Sequence, residues 1–268
     1  MDKLTGEERI AESEPIPPER EIHDPQSASY RRGLSSIGTV FRTTYADRYD
    51  FVLTDVRPPK DSHGQPFTQV DQSDFAAIRP LFEGVDTVIH LGADPRMDAP
   101  WESLLPNNVV GLYNVFEAAR QAGCRRVVFA SSINAVWGYP PELQLRTDEP
   151  VNPANLYGAT KCWGEAVARV YANAHGLSGL CLRFGAVQPR DSQIITVGNE
   201  WLDIVLTYED CARLIAAAVD APDDVKFGIF NGISNNRYKR MDLRDTCAIL
   251  GYDPQDDSFV LAEAKENE

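Results

Sequence analysis

The segment that decides the fold runs from Val85 to Ser132. It begins V-D-T-V-I-H-L-G-A (85–93), continues through P-W-E-S-L-L (100–105) and N-N-V-V-G-L-Y-N-V-F-E-A-A (107–119), and closes on R-R-V-V-F-A-S-S (125–132). The first run is apolar, short, and bounded by Gly84 and Gly92, which suits a buried strand better than a helix. Pro100 fits the first turn of a long helix that ends near Gly123. The closing run is a second buried strand. Neither strand alternates apolar with polar residues, so both faces of the sheet are covered, as in a parallel sheet packed between helices.

The alternation continues outward from this unit. Towards the C-terminus it predicts a helix over 155–175, a strand at L-C-L-R-F (180–184), and a helix at 207–221 that Thr207 and Asp210 open as a capping box. A late strand at K-F-G-I-F-N-G (226–232) and a last helix closed by Gly251 follow. Towards the N-terminus it predicts a helix at about 36–47, a strand Phe51–Asp55, a Pro-rich loop (56–66) and a short helix near 73–82. The fold class is α/β, a doubly wound parallel sheet of Rossmann type with a small C-terminal substrate lobe. Residues 1–29 read as a polar, Pro-containing arm, 30–220 as the nucleotide-binding domain with a substrate loop at 183–204, and 221–268 as the lobe with an acidic tail.

With 40 acidic against 26 basic residues, the formal net charge is −14. That balance argues against nucleic-acid or anionic-membrane partners. No apolar run nears the roughly 18 residues of a membrane span, and the first 21 residues lack the apolar core of a secretory signal. Five cysteines, an odd number with no C-x-x-C, read as reduced residues of a cytoplasmic protein. The four histidines have no ligand spacing, so no metal is expected.

In such sheets ligands sit at the carboxyl ends of the strands. The first strand ends at Asp55, whose carboxylate can accept both hydroxyls of an adenosine ribose and repels a 2′-phosphate, favouring NAD over NADP. The next ends in Gly92-Ala93, small enough for a cofactor to lie against the backbone. The 125–132 strand ends in Ser131-Ser132, two hydroxyls suited to a substrate, with Asn134 just beyond. N-L-Y-G-A-T-K-C-W-G-E (155–165) then places Tyr157 and Lys161 one turn apart on one helix face. A free tyrosine, pKa about 10, is a poor base; an ammonium beside it favours the phenolate and makes it usable.

V-D-T-V-I-H-L-G-A, N-N-V-V-G-L-Y-N-V-F-E-A-A, R-R-V-V-F-A-S-S, Y-G-A-T-K followed by G-E, and L-C-L-R-F-G together resemble the extended short-chain dehydrogenase/reductases, the NAD-dependent epimerase/dehydratase family. Within it the sequence looks most like the short sugar dehydrogenases, the uronate and the NAD-dependent glucose-6-phosphate dehydrogenases. The resemblance spans about Gly38 to Pro254. It implies Tyr157 as catalytic base, Lys161 as its partner and ribose ligand, Ser132 as the residue that orients the substrate hydroxyl, and Asn108 as support for the site. It implies Asp55 on the ribose, Asp71 beside the adenine, Leu91, Gly92 and Ala93 along the pyrophosphate and ribose, and Phe184 and Gly185 at the nicotinamide end. Ser36, Ile37 and Gly38 would offer amides at a helix N-terminus to the pyrophosphate. The implied reaction is oxidation of the anomeric hydroxyl of a small sugar, sugar acid or sugar phosphate to a lactone, in a homodimer formed by the 101–123 and 155–175 helices. Arg96 or Arg190 is the candidate anchor for an anionic substrate; where uronate dehydrogenases place such an arginine, this chain has Ile194-Ile195.

One stretch departs from the family. Aligning Gly38 with the last glycine of its T-G-x-x-G-x-x-G loop puts Arg31, Arg32 and Ser35 where the threonine and the first two glycines belong. Weaker NAD binding is expected, through a divergent N-terminus or a frameshifted one. Two other readings stay open here: a sugar epimerase or dehydratase with retained NAD, and a cofactor-impaired homologue serving as a binding subunit.

Overall fold

The protein is described by a computed structural model over residues 36–267. The N-terminal arm and the altered loop at Arg31, Arg32 and Ser35 lie outside the described residues. In chain order the elements are α1 (Ser36–Thr44), β1 (Leu53–Asp55), β2 (Phe67–Gln69), α2 (Phe75–Ile78), β3 (Thr87–His90), α3 (Trp101–Leu104), α4 (Gly111–Ala122), β4 (Arg126–Ser132), α5 (Leu156–His175), β5 (Ser178–Phe184), β6 (Ala186–Gln188), β7 (Val205–Thr207), α6 (Tyr208–Val219), β8 (Phe227–Gly232), α7 (Arg244–Leu250) and α8 (Ser258–Glu266).

Four strands form one parallel sheet in the order β3-β4-β5-β8. Two further parallel pairs, β1-β2 and β6-β7, complete the described strands. Alternate residues of β4 face opposite layers. Val127 and Phe129 pack with Leu112 and Phe116 of α4 and Val167, Ala168 and Tyr171 of α5. Val128 and Ala130 pack with Cys211, Leu214 and Ile215 of α6 and Phe41 of α1. Helices on both faces explain why the strands lack polar alternation, and the fold is the doubly wound Rossmann type.

The structure adds what three-residue strands hide. β2 has no apolar run and owes its existence to pairing with β1, Leu53 opposite Phe67. β6, β7 and α8 likewise carry no sequence period that marks them, and β6 and β7 are strands through their mutual pairing. β8 pairs with β5 along its whole length, so the sheet reaches into the stretch assigned by sequence to the C-terminal lobe. The helix expected unbroken from 100 to 123 is interrupted. Between α3 and α4 a π-helical turn spans Leu105–Val110, with Pro106 in its first turn. Such turns recur at functional sites, and this one carries Asn108. Among the described residues no helix is long and apolar enough to cross a membrane. All five cysteines are free thiols.

Candidate active site

The site forms where β4 ends and α5 begins. The Ser132 hydroxyl accepts hydrogen bonds from the Asn134 backbone N–H at 3.1 Å and from its Nδ2 at 3.2 Å. Asn155 caps α5, accepting from the Gly158 N–H at 2.7 Å, while its Nδ2 donates to Asn134 Oδ1 at 2.9 Å. The strand end and the helix start are thereby tied through Asn134. Gly158 makes the approach possible, since a Cβ there would collide with the Asn134 carbonyl oxygen. Neither Asn155 nor Gly158 figured in the sequence reading, although both belong to the N-L-Y-G motif.

Tyr157 and Lys161 are both buried, at 8% and 4% exposure. The Lys161 Nζ donates to the Ala130 carbonyl at 2.7 Å and lies 5.4 Å from the Tyr157 ring centroid and 5.0 Å from that of Phe129. Here the structure corrects an expectation. Burial pushes the Tyr157 phenol up to about 12, helped by the Asp94 charge and opposed by the Ser132 hydroxyl. Burial also pulls the Lys161 ammonium down to about 7. Desolvation of both groups outweighs the attraction inferred from their spacing, because the ammonium is turned to a carbonyl. His90 is buried beside them, stacked on Phe129; burial, then the Lys161 charge, hold it neutral with a pKa of about 3.

Asn108, 3% exposed, links the β3 loop to α5. Its Oδ1 accepts from the Asp94 N–H at 2.7 Å, and its Nδ2 donates to the Asp94 carbonyl at 3.0 Å and to Thr160 Oγ1 at 3.1 Å. Thr160 in turn donates to the Tyr157 carbonyl at 2.7 Å. Thr160 lies inside Y-G-A-T-K and Asp94 directly follows V-D-T-V-I-H-L-G-A, but only the fold shows that they meet at Asn108.

At the end of β1, Asp55 is half-buried and accepts from the Arg57 N–H at 3.2 Å. Burial raises its pKa, with backbone N–H groups opposing. Ser36, Ile37 and Gly38 form the first turn of α1. Asp71 is exposed and accepts from the Ser73 N–H, a local turn bond. Gln72, not anticipated, donates to the Gly92 carbonyl at 3.3 Å and the Asn107 carbonyl at 2.6 Å, so its side chain lies against Gly92. Leu91 and Ala93 are half-buried on this edge. Phe184 is instead a core residue at 6% exposure. Gly185 is needed for packing, since a Cβ there would strike the Ile204 carbonyl oxygen.

Three expected substrate contacts are otherwise engaged. Ser131 points to the opposite face from Ser132, where its hydroxyl donates to Glu165 Oε1 at 2.7 Å. Glu165 is itself held by Arg183, with Nε and Nη2 each at 2.8 Å from a carboxylate oxygen. Arg96 is paired with the fully buried Asp94 through Nε and Nη2, at 3.1 and 2.8 Å. Arg190 is paired with Asp256, both bonds at 2.9 Å. Beside Asn134 a small cavity opens, walled by Met97, Ile133, Trp137, Trp201 and Ile204.

Comparison with known proteins agrees with this arrangement. The sequence matches the NAD dependent epimerase/dehydratase family over residues 37–188, more than half of the chain. The chain belongs to the NAD-dependent epimerase/dehydratase family. A NAD-dependent glucose-6-phosphate dehydrogenase from Haloferax volcanii is 35% identical over 83% of this chain and 90% of its own length. A uronate dehydrogenase from Pseudomonas putida is 34% identical over 80% of this chain and 78% of its own. The crystal structure of a uronate dehydrogenase variant from Agrobacterium tumefaciens complexed with NAD superposes with a TM-score of 0.74 at 31% identity, covering 86% and 83% of the two chains.

The residues present fit the cofactor of this family. Among the described residues Lys161, nearly inaccessible, donates one hydrogen bond and has three donors, so two N–H groups in a buried setting suit hydroxyl acceptors. Asp55 offers a desolvated carboxylate to hydroxyl donors at the end of β1.

Proposed function

We propose that the protein is an NAD-dependent dehydrogenase that oxidises the anomeric hydroxyl of a small sugar to a lactone. The observation that carries this reading is the buried Ser132, Tyr157 and Lys161 set, locked by Asn134 and Asn155 at the carboxyl end of a parallel sheet. NAD, when bound, takes the hydride from the sugar carbon. Asp55 would hold its adenosine ribose, Lys161 its nicotinamide ribose, and the first turn of α1 its pyrophosphate.

Tyr157 removes the hydroxyl proton. Its phenolate is disfavoured by burial, so its partners matter: Ser132 donates its one hydroxyl hydrogen to the phenolate oxygen, and the Lys161 ammonium supplies positive charge. Asn108 and Thr160 hold the first turn of α5 against the Asp94 loop and so fix where the phenol stands. The Asp94 charge opposes phenolate formation, and its pairing with Arg96 limits that effect.

Relatives named as dehydrogenases of glucose 6-phosphate and uronate, which match most of this chain, favour oxidation over epimerisation. Exposed Tyr113 on α4, and Trp163 and Val170 on α5, support a homodimer through these helices, which sedimentation would test. The five free thiols support a cytoplasmic location. The test of function is NADH formation against free aldoses, uronic acids and sugar phosphates. Sustained NADH production by the wild type, abolished in Tyr157→Phe, supports the reading. A protein that binds NAD but forms no NADH with any of them overturns it.

A further inference from the structure

The cavity beside Asn134 measures about 70 Å³, and among the described residues no charged side chain lines it. Its walls are Met97, Ile133, Trp137, Trp201 and Ile204, with Asn134 as the polar side chain. The rings of Trp137 and Trp201 lie 6.0 Å apart, inclined at 50°. Arg240 sits over Trp137, 4.5 Å from its ring centroid, and donates to the Tyr139 carbonyl at 3.0 Å; it steadies the ring from outside the lining.

The two arginines expected to anchor an anionic substrate are already paired with carboxylates. Arg96 serves Asp94, and Arg190 serves Asp256, whose other donor is the Thr207 hydroxyl at 2.6 Å. Further along the same loop Ile195 is fully buried with Leu202, Val205 and Ala262, so that position contributes to the core. A carboxylate or phosphate placed against Trp137 and Trp201 would lose water and, among the described residues, meet no charged side chain in the lining. Aromatic walls suit the C–H groups of a sugar ring better than an anion. The net charge of −14 adds a long-range repulsion of the same sign.

We propose that the substrate is an uncharged sugar, seated on Trp137 and Trp201, and that these two residues set the specificity. The inference rests on the dehydrogenase reading above and narrows its substrate class.

The test compares kcat/KM with NAD for one aldose, its uronic acid and its 6-phosphate, in the wild type and in Trp201→Ala, at low and high salt. The expected result is at least about a tenfold preference for the aldose that persists at high salt, where long-range repulsion is screened. Trp201→Ala should raise KM for the aldose about tenfold and lower kcat much less, because Trp201 touches no reacting atom. The aldose should also quench tryptophan fluorescence in Tyr157→Phe, where binding occurs without turnover. Preference for the acid or the phosphate, loss of the preference at high salt, or an unchanged KM in Trp201→Ala overturns this proposal and leaves the dehydrogenase reading intact. No NADH from any of the three sugars overturns both.

Discussion

Replacing Lys161 with methionine should abolish activity and stabilise the fold. The ammonium is 4% exposed, and burial lowers its pKa from 10.5 to about 7. At about 1.4 kcal/mol per pKa unit, keeping this charge inside the folded protein costs up to roughly 4 kcal/mol at pH 7. Methionine fills a similar volume without charge. Losing the bond to the Ala130 carbonyl returns about 1–2 kcal/mol of that gain, and the contact with Phe129 is also changed. The net expectation is a variant more stable than wild type by about 1–3 kcal/mol at pH 7. The pH dependence is the sharper part. A group whose folded pKa is depressed holds fewer protons folded than unfolded between the two values. Wild-type stability therefore gains with rising pH from about 7 towards 10.5, at up to about 1.4 kcal/mol per unit from this group. Lys161→Met lacks the term, so its advantage should be largest at pH 7 or below and close as the pH rises. Urea denaturation of both proteins at several pH values between 6 and 9, without cofactor, reads the difference directly. A variant less stable than wild type at pH 7, or a difference that does not change with pH, would refute the reasoning.

Other consequences follow from individual contacts. Glu165→Ala leaves the Arg183 guanidinium, 1% exposed, without its carboxylate, and should cost about 3–5 kcal/mol by denaturant titration; the double variant Glu165→Leu with Arg183→Met should recover part of that loss. Gly185→Ala forces a methyl group onto the Ile204 carbonyl and should cost about 1–3 kcal/mol, read as a lowered Tm. Asp55→Asn removes a carboxylate from the end of β1 and should weaken NAD binding roughly tenfold or more in a fluorescence titration, with NADP less affected.

Much of the fold was legible because each strand of the main sheet is a continuous apolar run that needs no partner to be recognised. β3, β4 and β8 fall within the runs read as strands, β5 begins two residues before its run, and α5 fills the predicted span. β2 and the β6-β7 pair escaped because three residues carry no period; pairing alone makes them strands. The π turn at Leu105–Val110 escaped because a proline early in a helix reads as a boundary, not as a local change of winding. In the site, Ser132, Tyr157, Lys161 and Asn108 were named from motifs, and the fold brings Ser132, Tyr157 and Lys161 together around Asn134. Thr160 lies inside Y-G-A-T-K and Asp94 directly follows V-D-T-V-I-H-L-G-A, yet only packing shows that both bond to Asn108; Trp201 lies far from any of these motifs. Ser131 and Ser132 looked equivalent, yet strand alternation sends one to Glu165 and leaves the other at the site. Arg96 and Arg190 looked like free anchors because sequence does not disclose which carboxylate a guanidinium will find. Spacing also misjudged Tyr157, since an i, i+4 relation reports proximity and says nothing of desolvation.

The central claim is that Tyr157 is the base of a sugar-oxidising, NAD-dependent site. Its most direct test is NADH formation from a free aldose by wild type and Tyr157→Phe, with NAD binding measured in parallel. The account predicts steady NADH production by wild type and a loss of about 100- to 10,000-fold in Tyr157→Phe with NAD affinity little changed. Activity that survives in Tyr157→Phe, or a wild type that binds NAD and oxidises no sugar, would contradict it.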